Sequence, residues 1–236
     1  MESKTILLTG ASGSLGSAVV KKFINQNYNL ILIARKTEKI SQLVNSLTDN
    51  DQNILVLSGD VTSEVSVREF ISKGIERFQH IDILINVAGT YLGGKPLYKS
   101  DTQIWDDLFN LNAKSFFILT KILVPHMIDN GSGIIINTSS KGALEVSPNS
   151  GLYSASKNVS LKLTQTLAKE LVDKNIRINA ILPSTIDSRP NRESMPDKDF
   201  SKWVKPDSIA NVIEFLISDN AKDITGASIP VYGREI

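Results

Sequence analysis

The sequence of 236 residues contains no cysteine and only two histidines, His80 and His126. The absence of cysteine excludes disulfide bonds, thiolate metal ligands and a cysteine nucleophile. The two histidines lie far apart in the chain and lack the spacing of metal ligands, so a zinc enzyme is not expected. The sequence therefore predicts no metal site.

An excess of charge of one sign is also missing, and so are long apolar runs. The chain has 26 lysines and arginines against 25 aspartates and glutamates, a net charge of +1 that gives no argument for nucleic acid or an acidic membrane surface. No apolar run reaches the ~18 residues of a membrane span. Residues Met1 to Lys4 lead directly into an apolar strand, without the pattern of a signal peptide. We therefore expect a cytoplasmic protein that binds neither nucleic acid nor membranes.

Short apolar runs alternate with amphipathic segments along the whole chain. The runs are too continuous for half-exposed strands, which favours a parallel sheet buried on both faces. They cover Thr5–Thr9, Leu30–Ala34, Ile54–Ser58, Ile81–Ile85, Ile134–Thr138, Arg177–Leu182 and Ile229–Val231. The longest helical patterns cover Trp105–Met127 and Ser154–Leu171. This alternation predicts an α/β protein with a doubly wound Rossmann fold: one mostly parallel sheet of about seven strands with helices on both faces. No linker divides the chain, so residues 1–236 are expected to form a single domain.

A glycine-rich turn, Thr9-Gly10-Ala-Ser-Gly13-Ser-Leu-Gly16, follows the first predicted strand and precedes a helix. Glycines at such a turn let the backbone approach a pyrophosphate, and the helix N-terminus supplies N–H donors. A tight structural turn is the alternative interpretation, but the strand-turn-helix context favours dinucleotide binding. The cofactor contacts predicted here are Gly10, Ser12, Gly13, Ser14, Leu15 and Gly16.

The second predicted strand ends in Ile33-Ala34-Arg35-Lys36. An acidic residue there would bind the ribose hydroxyls of NAD(H), and none is present. Arg35 can instead pair with the 2′-phosphate of NADP(H). The sequence therefore favours NADP(H), with NAD(H) as the alternative; Arg35 and Lys36 could also be solvated loop charges.

Tyr153 and Lys157 are four residues apart on a predicted helix, so the phenol and the ammonium share a face. Tyrosine has an ordinary pKa of about 10 and is a poor acid or base at neutral pH. A positive charge ~4 Å away contributes up to about 4 kcal/mol at an effective dielectric of ~20, which predicts a pKa lower by as much as about 3 units. Ser140 could hold a carbonyl oxygen while Tyr153 delivers the proton. In isolation, such a pair would more often be an ordinary surface pair.

Together these motifs resemble the short-chain dehydrogenase/reductase family over essentially the whole chain. Further members of the set, in family order and spacing, are Asp60-Val61, Asn86-Val-Ala-Gly89, Asn112 and Pro183. The resemblance implies that Tyr153 is the acid or base, that Ser140 orients the carbonyl, that Lys157 binds the nicotinamide ribose, and that Asn112 holds a water in the proton relay. Beyond the glycine turn it implies cofactor contacts at Arg35, Lys36, Asp60, Val61, Asn86, Ala88, Gly89, Tyr153, Lys157, Pro183, Thr185, Ile186 and Ser188.

The stretch from Leu182 to Trp203 is similar to the corresponding stretch of dihydropteridine reductases. The animal enzymes of that branch work without the catalytic serine, whereas Ser140 is present here. Residues 189–204 are expected to form a substrate lid, or else to pack down on the core. The apolar residues that could line the substrate site are Tyr91, Leu92, Leu144, Val146, Met195, Phe200 and Trp203.

The sequence thus favours an NADP(H)-dependent oxidoreductase that transfers a hydride between NADPH and a small-molecule carbonyl or alcohol. Reduction of quinonoid dihydropterin, reduction of 3-oxoacyl thioesters and a non-catalytic NADP-binding regulator stay open as alternatives. The resemblance also implies a homodimer or homotetramer paired through the long helices.

Overall fold

A computed structural model describes residues 3–235, and within this range seven strands form one sheet in which every neighbouring pair is parallel. The strands are β1 Lys4–Thr9, β2 Tyr28–Ala34, β3 Ile54–Ser58, β4 Ile83–Asn86, β5 Gly133–Thr138, β6 Ile176–Pro183 and β7 Ser228–Val231. Their order in the sheet is β3-β2-β1-β4-β5-β6-β7. All seven predicted strands are present, with ends displaced by no more than two residues. The predicted Rossmann fold is confirmed.

Helices cover both faces of the sheet. They are α1 Ser14–Phe23, α2 Glu38–Leu47, α3 Glu64–Phe78, α4 Thr102–Phe109, α5 Ser115–Asp129, α6 Gly151–Glu170, α7 Arg189–Ser194 and α8 Pro206–Ile217. One apolar core lies between the sheet and α1, α2 and α8; a second lies between the sheet and α3, α5 and α6. Successive strand residues alternate between these cores, as Ile6 and Leu7 do, which explains the continuously apolar strands.

Buried polar side chains link the ends of the three central strands. Thr9 Oγ1 donates to Asn86 Oδ1 at 2.6 Å, and Asn86 Nδ2 donates to Asn137 Oδ1 at 2.9 Å. Asn137 Nδ2 then donates to Ser160 Oγ of α6 at 2.8 Å. This chain of hydrogen bonds fixes the carboxyl edge of the sheet relative to α6. Ligands bind at that edge in open α/β sheets, beside the point where the strand order reverses, here between β1 and β4.

The long helix predicted over Trp105–Met127 is interrupted. Helices α4 and α5 are joined by a π-helical turn, Asn110–Lys114, with Asn112 at its centre. A π turn adds one residue to the helix and occurs frequently at functional sites. The extra residue turns the polar Asn112 inward, where it is buried.

Part of the predicted lid segment, residues 189–204, forms regular secondary structure. It contains α7 and a 3₁₀ turn, Phe200–Lys202. Trp203 is only 5% exposed. The neighbouring Val204 O accepts a hydrogen bond from Asp187 N–H at 2.8 Å, and Val204 N–H donates to Thr185 O at 3.0 Å. The end of the segment is therefore joined to the sheet edge. Within residues 3–235, no helix is long and apolar enough to cross a membrane.

Candidate active site

Two glycines of the first turn are required by its geometry. Gly10 has φ +68°, in the left-handed region, and a Cβ there would stand 2.8 Å from Ala88 N. A Cβ at Gly16 would stand 2.2 Å from Gly10 O, whereas the nearest atom to a Cβ at Gly13 is Gly10 O at 3.4 Å. Gly13 is thus not needed for packing. It is the N-cap of α1 and makes no side-chain cap, which leaves the first N–H groups of the helix directed at the crevice.

Arg35 and Asp60 follow the ends of β2 and β3 and are both exposed. Asp60 Oδ1 accepts hydrogen bonds from Thr62 N at 2.9 Å and Thr62 Oγ1 at 2.7 Å. These bonds hold the pKa of Asp60 below its usual value, and the positive charge of Arg35 lowers it further. Ser58 Oγ donates to Arg35 O at 3.1 Å and fixes the backbone beside it. A cation and a carboxylate therefore stand together at the edge where the adenosine half of a dinucleotide would lie; Lys36 is exposed beside them and Val61 is buried.

Ser140 and Tyr153 are brought together across Gly142. A Cβ at Gly142 would stand 3.5 Å from both Ser140 Oγ and Tyr153 Cε1. Gly142 N–H donates to Ser140 Oγ at 3.1 Å, which orients the serine. The ring of Tyr91 meets that of Tyr153 edge-on, with centroids 4.9 Å apart and planes at 71°. The serine hydroxyl and the phenol therefore lie close enough to contact the same ligand, and the ring of Tyr91 forms an aromatic wall beside them.

The pKa of Tyr153 is raised above its ordinary value of 10, in the direction opposite to the prediction. Burial is the largest cause, because it penalises the phenolate; a hydrogen bond from Ser140 opposes the rise, and Tyr91 adds to it. The predicted lowering by Lys157 is wrong for this structure. The lysine ammonium is directed to a backbone carbonyl instead, with Nζ donating to Thr138 O at 3.0 Å.

Lys157 is buried, and desolvation lowers its pKa from 10.5 to about 8. Its Nζ and the Asn112 Oδ1 lie 2.9 and 3.1 Å from where a Cβ of Gly89 would stand, so this glycine keeps the space between them open. Ser139 Oγ donates to Lys157 O at 3.0 Å and anchors the helix at this position. Lys157 and Asn112 thus face one small polar space.

Asn112 is held by backbone and by α6. Its Nδ2 donates to Thr90 O at 2.9 Å and to Ser156 Oγ at 3.0 Å, and its Oδ1 accepts from Thr90 N at 2.8 Å. Sequence reasoning missed Thr90 and Ser156; a hydroxyl one residue before Lys157 was the available signal for the second.

Removing Lys157 should change how stability depends on pH. In the protein without ligand, folded Lys157 loses its proton near pH 8 and unfolded lysine near 10.5, so the unfolded state binds more protons between these values. The free energy of unfolding should therefore rise with pH, by about 2 kcal/mol from pH 8 to pH 10 for this group. Lys157→Met should remove that rise in urea titrations. Equal pH slopes for the two proteins would contradict a buried lysine with a lowered pKa.

The segment after β6 holds predicted cofactor contacts and is hydrogen-bonded to Glu235 near the C-terminus. Thr185 N–H donates to Glu235 Oε2 at 3.0 Å, and Lys141 Nζ donates to Glu235 O at 2.7 Å. Ile186 O accepts from Asn191 Nδ2 at 2.8 Å, and Ser188 Oγ caps α7. Pro183, the last residue of β6, is buried. Glu235, which ties the segment after β6 to the segment after Ser140, was not foreseen.

The remaining predicted contacts line the same edge. Asn86 is buried at the end of β4 and belongs to the polar chain of the central strands, whereas Ala88 N–H donates a long hydrogen bond to Thr9 Oγ1 at 3.4 Å. In the glycine turn Leu15 is buried, Ser12 is half-buried and Ser14 is exposed. The residues predicted to contact the cofactor therefore lie along this edge of the sheet, from Arg35 past the glycine turn to Lys157.

The site fits a nicotinamide dinucleotide in two respects. The open glycine turn at the N-terminus of α1 suits a pyrophosphate. At the other end, Thr138 Oγ1 is buried and has no hydrogen-bond partner within residues 3–235, which leaves a polar atom for a ligand.

Comparison with known proteins gives the same family along the chain. A family model described as short chain dehydrogenase matches residues 4–199. The 3-oxoacyl-(acyl-carrier-protein) reductase FabG of Thermotoga maritima is 31% identical over 242 residues, which cover 99% of this chain and 98% of the relative.

Solved structures are similar over nearly the full length. ElxO with NADP bound superposes with a TM-score of 0.91 at 28% identity, covering 98% of each chain. The 3-ketoacyl-(acyl-carrier-protein) reductase from Brucella melitensis complexed with NADH has a TM-score of 0.87 at 26% identity, covering 100% of this chain and 99% of the other. One of these similar proteins was therefore solved with NADP and the other with NADH.

Proposed function

Since the chain belongs to the short-chain dehydrogenase family of NAD(P)-dependent oxidoreductases, we propose that it transfers a hydride between NADPH and a small-molecule carbonyl or alcohol. The observation that carries the proposal is the meeting of Ser140 and Tyr153 across Gly142, with Lys157 one helical turn further along α6. A protein that only binds a dinucleotide has no need of this set.

The proposed mechanism uses Tyr153 as the acid in the direction of reduction. Its raised pKa keeps the phenol protonated at neutral pH, the form that donates to a developing alkoxide. Ser140 holds the same oxygen by a hydrogen bond and so orients the carbonyl. Lys157 and Asn112, which face the space beside Gly89, return a proton from water. The nicotinamide of NADPH, when bound, supplies the hydride.

The proposed cofactor is NADP(H), because Arg35 is the charged group at the end of β2. The hydrogen bonds from Thr62 keep the pKa of Asp60 low, so Asp60 stays an anion and partly neutralises the charge of Arg35. An arginine can add bidentate hydrogen bonds to a phosphate. The NADP-bound ElxO supports this preference, and the NADH complex of the Brucella reductase keeps NAD(H) as the alternative.

The proposed substrate carries an apolar group beside its carbonyl. Four large apolar side chains, predicted above as walls, are exposed on the two loops that flank Tyr153: Tyr91, Leu92, Leu144 and Val146. Met195 and Phe200 are half-buried on the proposed lid, whereas the buried Trp203 belongs to the core. The name of the Thermotoga relative favours 3-oxoacyl thioesters as a second substrate class.

A substrate panel tests the function. We expect NADPH oxidation with ketones or 3-oxoacyl thioesters that carry an apolar chain, measured by the loss of nicotinamide absorbance. Turnover of quinonoid dihydropterin alone would favour the pterin reductase alternative, which the segment from Leu182 to Trp203 suggested. Tight NADPH binding without turnover of any compound would favour the non-catalytic regulator.

The cofactor is tested by repeating the assay with NADH. Arg35→Ala should lower kcat/KM for NADPH by about 10- to 100-fold, the value of a charge-assisted hydrogen bond, and leave that for NADH unchanged. Lys39→Ala, which removes an exposed lysine of α2 outside the predicted contacts, is the matched control for a general loss of positive charge. A wild-type preference for NADH would overturn the role of Arg35.

Assembly and location stay predictions. Trp105, Phe117 and Val159 expose apolar surface on the long helices, which supports pairing as a homodimer or homotetramer. A cytoplasmic location, the extent of a single domain over residues 1–236 and a moving lid over 189–204 rest on the sequence.

A further inference from the structure

Lys141 directly follows Ser140, and its side chain is anchored near the C-terminus of the chain. Lys141 Nζ donates to Glu235 O at 2.7 Å and lies 5.0 Å from the centre of the Tyr232 ring. A third contact, at 3.4 Å, is to the exposed carboxylate of Glu145. The lysine side chain is only 23% exposed. A cation in this position needs partners, because burying an unpaired charge is unfavourable.

Residues 232–235, which receive the lysine, are themselves fixed to the segment after β6. Ser184 Oγ donates to Tyr232 O at 2.8 Å, and Thr185 N–H donates to Glu235 Oε2 at 3.0 Å. The ring of Tyr232 also packs against a small apolar cluster beneath the end of β6. The lysine is therefore held by a part of the chain that is joined to the sheet.

A turn at Gly233 brings the same residues against the end of the proposed lid. Gly233 has φ +63°, in the left-handed region, and a Cβ there would stand 2.7 Å from Lys202 O. Arg234 N–H donates to that carbonyl at 2.9 Å. Glycine is therefore needed for the C-terminal backbone to lie against the lid. The lid, the segment after β6 and the lysine beside Ser140 thus share one anchor.

Ser140 lies on a short turn that needs such an anchor. It is the N-cap of the 3₁₀ turn Lys141–Ala143, and its Oγ accepts from Gly142 N–H at 3.1 Å. The hydrogen bonds of 3₁₀ turns have poor geometry, so a single turn is held weakly by its own backbone. Asn158 of α6 fixes the far end, with Nδ2 donating to Ala143 O at 2.8 Å. The lysine ammonium fixes the near end.

We propose that Lys141, held by residues 232–235, is a positioning residue for the hydroxyl of Ser140. The inference rests on the proposed function, in which that hydroxyl orients the substrate carbonyl. The lysine acts through the turn, since its ammonium is bound to the C-terminal residues. A displacement of about 1 Å in a positioning group can lower a rate by 10²-fold, so a looser turn should slow the reaction.

Three substitutions test the lysine. Lys141→Met removes the ammonium and keeps an unbranched apolar stem, whereas Lys141→Arg keeps a cation that can donate to a carbonyl and stack on an aromatic ring. Glu145→Gln is the matched control, because it removes the exposed partner of the lysine and leaves the C-terminal contacts in place. Lys141→Met is also combined with Ser140→Ala. The rates are measured with NADPH and the ketone or 3-oxoacyl thioester that the panel identifies, in single turnover with excess enzyme so that slow variants stay measurable.

Lys141→Met should lower the rate of reduction by about 5- to 30-fold, less than the 10²- to 10³-fold that complete loss of a hydrogen-bond donor to the oxygen can cost. Lys141→Arg should stay within about threefold of the wild type. Glu145→Gln should leave the rate unchanged, since exposed ion pairs contribute little. The dissociation constant of NADPH, measured by calorimetry, should stay within about twofold in all three variants, because the cofactor contacts are kept.

The combination with Ser140→Ala separates positioning from a general structural role. If the lysine acts through the serine hydroxyl, Lys141→Met should slow the Ser140→Ala protein by less than about twofold, because the group that it positions is gone. An equal loss in both backgrounds would overturn the inference, and so would equal losses in the methionine and arginine variants. A wild-type rate in Lys141→Met would refute the inference and leave the proposed function standing. A wild-type protein that reduces no compound of the panel would overturn the proposed function, and this inference with it.

Discussion

Tyr153→Phe lowers kcat for carbonyl reduction by about 10²- to 10⁴-fold, the contribution of a positioned general acid. The change removes one hydroxyl and keeps the ring against Tyr91, so the aromatic contact at 4.9 Å is preserved. NADPH affinity should fall by no more than about tenfold, because the phenol adds at most one hydrogen bond to the bound cofactor. Steady-state kinetics and calorimetry on the same preparation separate the two effects.

Tyr91→Phe is the matched control, since it removes a phenol hydroxyl from the neighbouring ring. Tyr91 raises the pKa of Tyr153, so this variant should shift the alkaline limb of the pH–rate profile downwards and leave kcat at neutral pH nearly unchanged. Near wild-type turnover in Tyr153→Phe would remove the central element of the proposed mechanism. An equal loss in both variants would assign the effect to the aromatic pair and not to proton transfer.

The sheet could be predicted from the sequence because its signal is local. Strands that are buried on both faces appear in the sequence as continuous apolar runs, and the glycine turn directly follows the first of these strands. The positions of Ser140 and Tyr153 followed from their family spacing. The π turn at Asn112 could not be predicted, because one inserted residue barely changes the apolar periodicity of a helix.

Contacts that depend on side-chain rotamers or on residues distant in the chain could not be predicted from the sequence. A four-residue spacing places Tyr153 and Lys157 on one face, but it does not determine where the lysine side chain ends. In the structure Lys157 Nζ donates to Thr138 O, and burial of the phenol raises the pKa of Tyr153. Glu235 meets Thr185 across 50 residues of sequence, a separation that leaves no local pattern.

Gly16→Ala should destabilise the protein by about 3 kcal/mol and lower its Tm by roughly 6–12 °C. The added Cβ would stand 2.2 Å from Gly10 O and 2.8 Å from Ala11 Cα, both backbone atoms that cannot turn aside. The first turn of α1 must therefore move away from the end of β1. NADPH binding should fall with it, because the N–H groups that face the pyrophosphate belong to that turn.

Gly13→Ala separates the two roles of the motif. Gly13 has φ −75° and ψ 171°, a conformation that alanine adopts, and its Cβ would meet Gly10 O at an ordinary 3.4 Å. Its Tm should be nearly unchanged, since the lower entropy of the unfolded chain with alanine offsets the poorer N-cap that alanine makes. Its NADPH affinity should nevertheless fall, because the position faces the crevice and a methyl group keeps the pyrophosphate away from the helix N-terminus. Equal Tm losses in the two variants would contradict this division, and unchanged NADPH affinity in Gly13→Ala would place the pyrophosphate elsewhere.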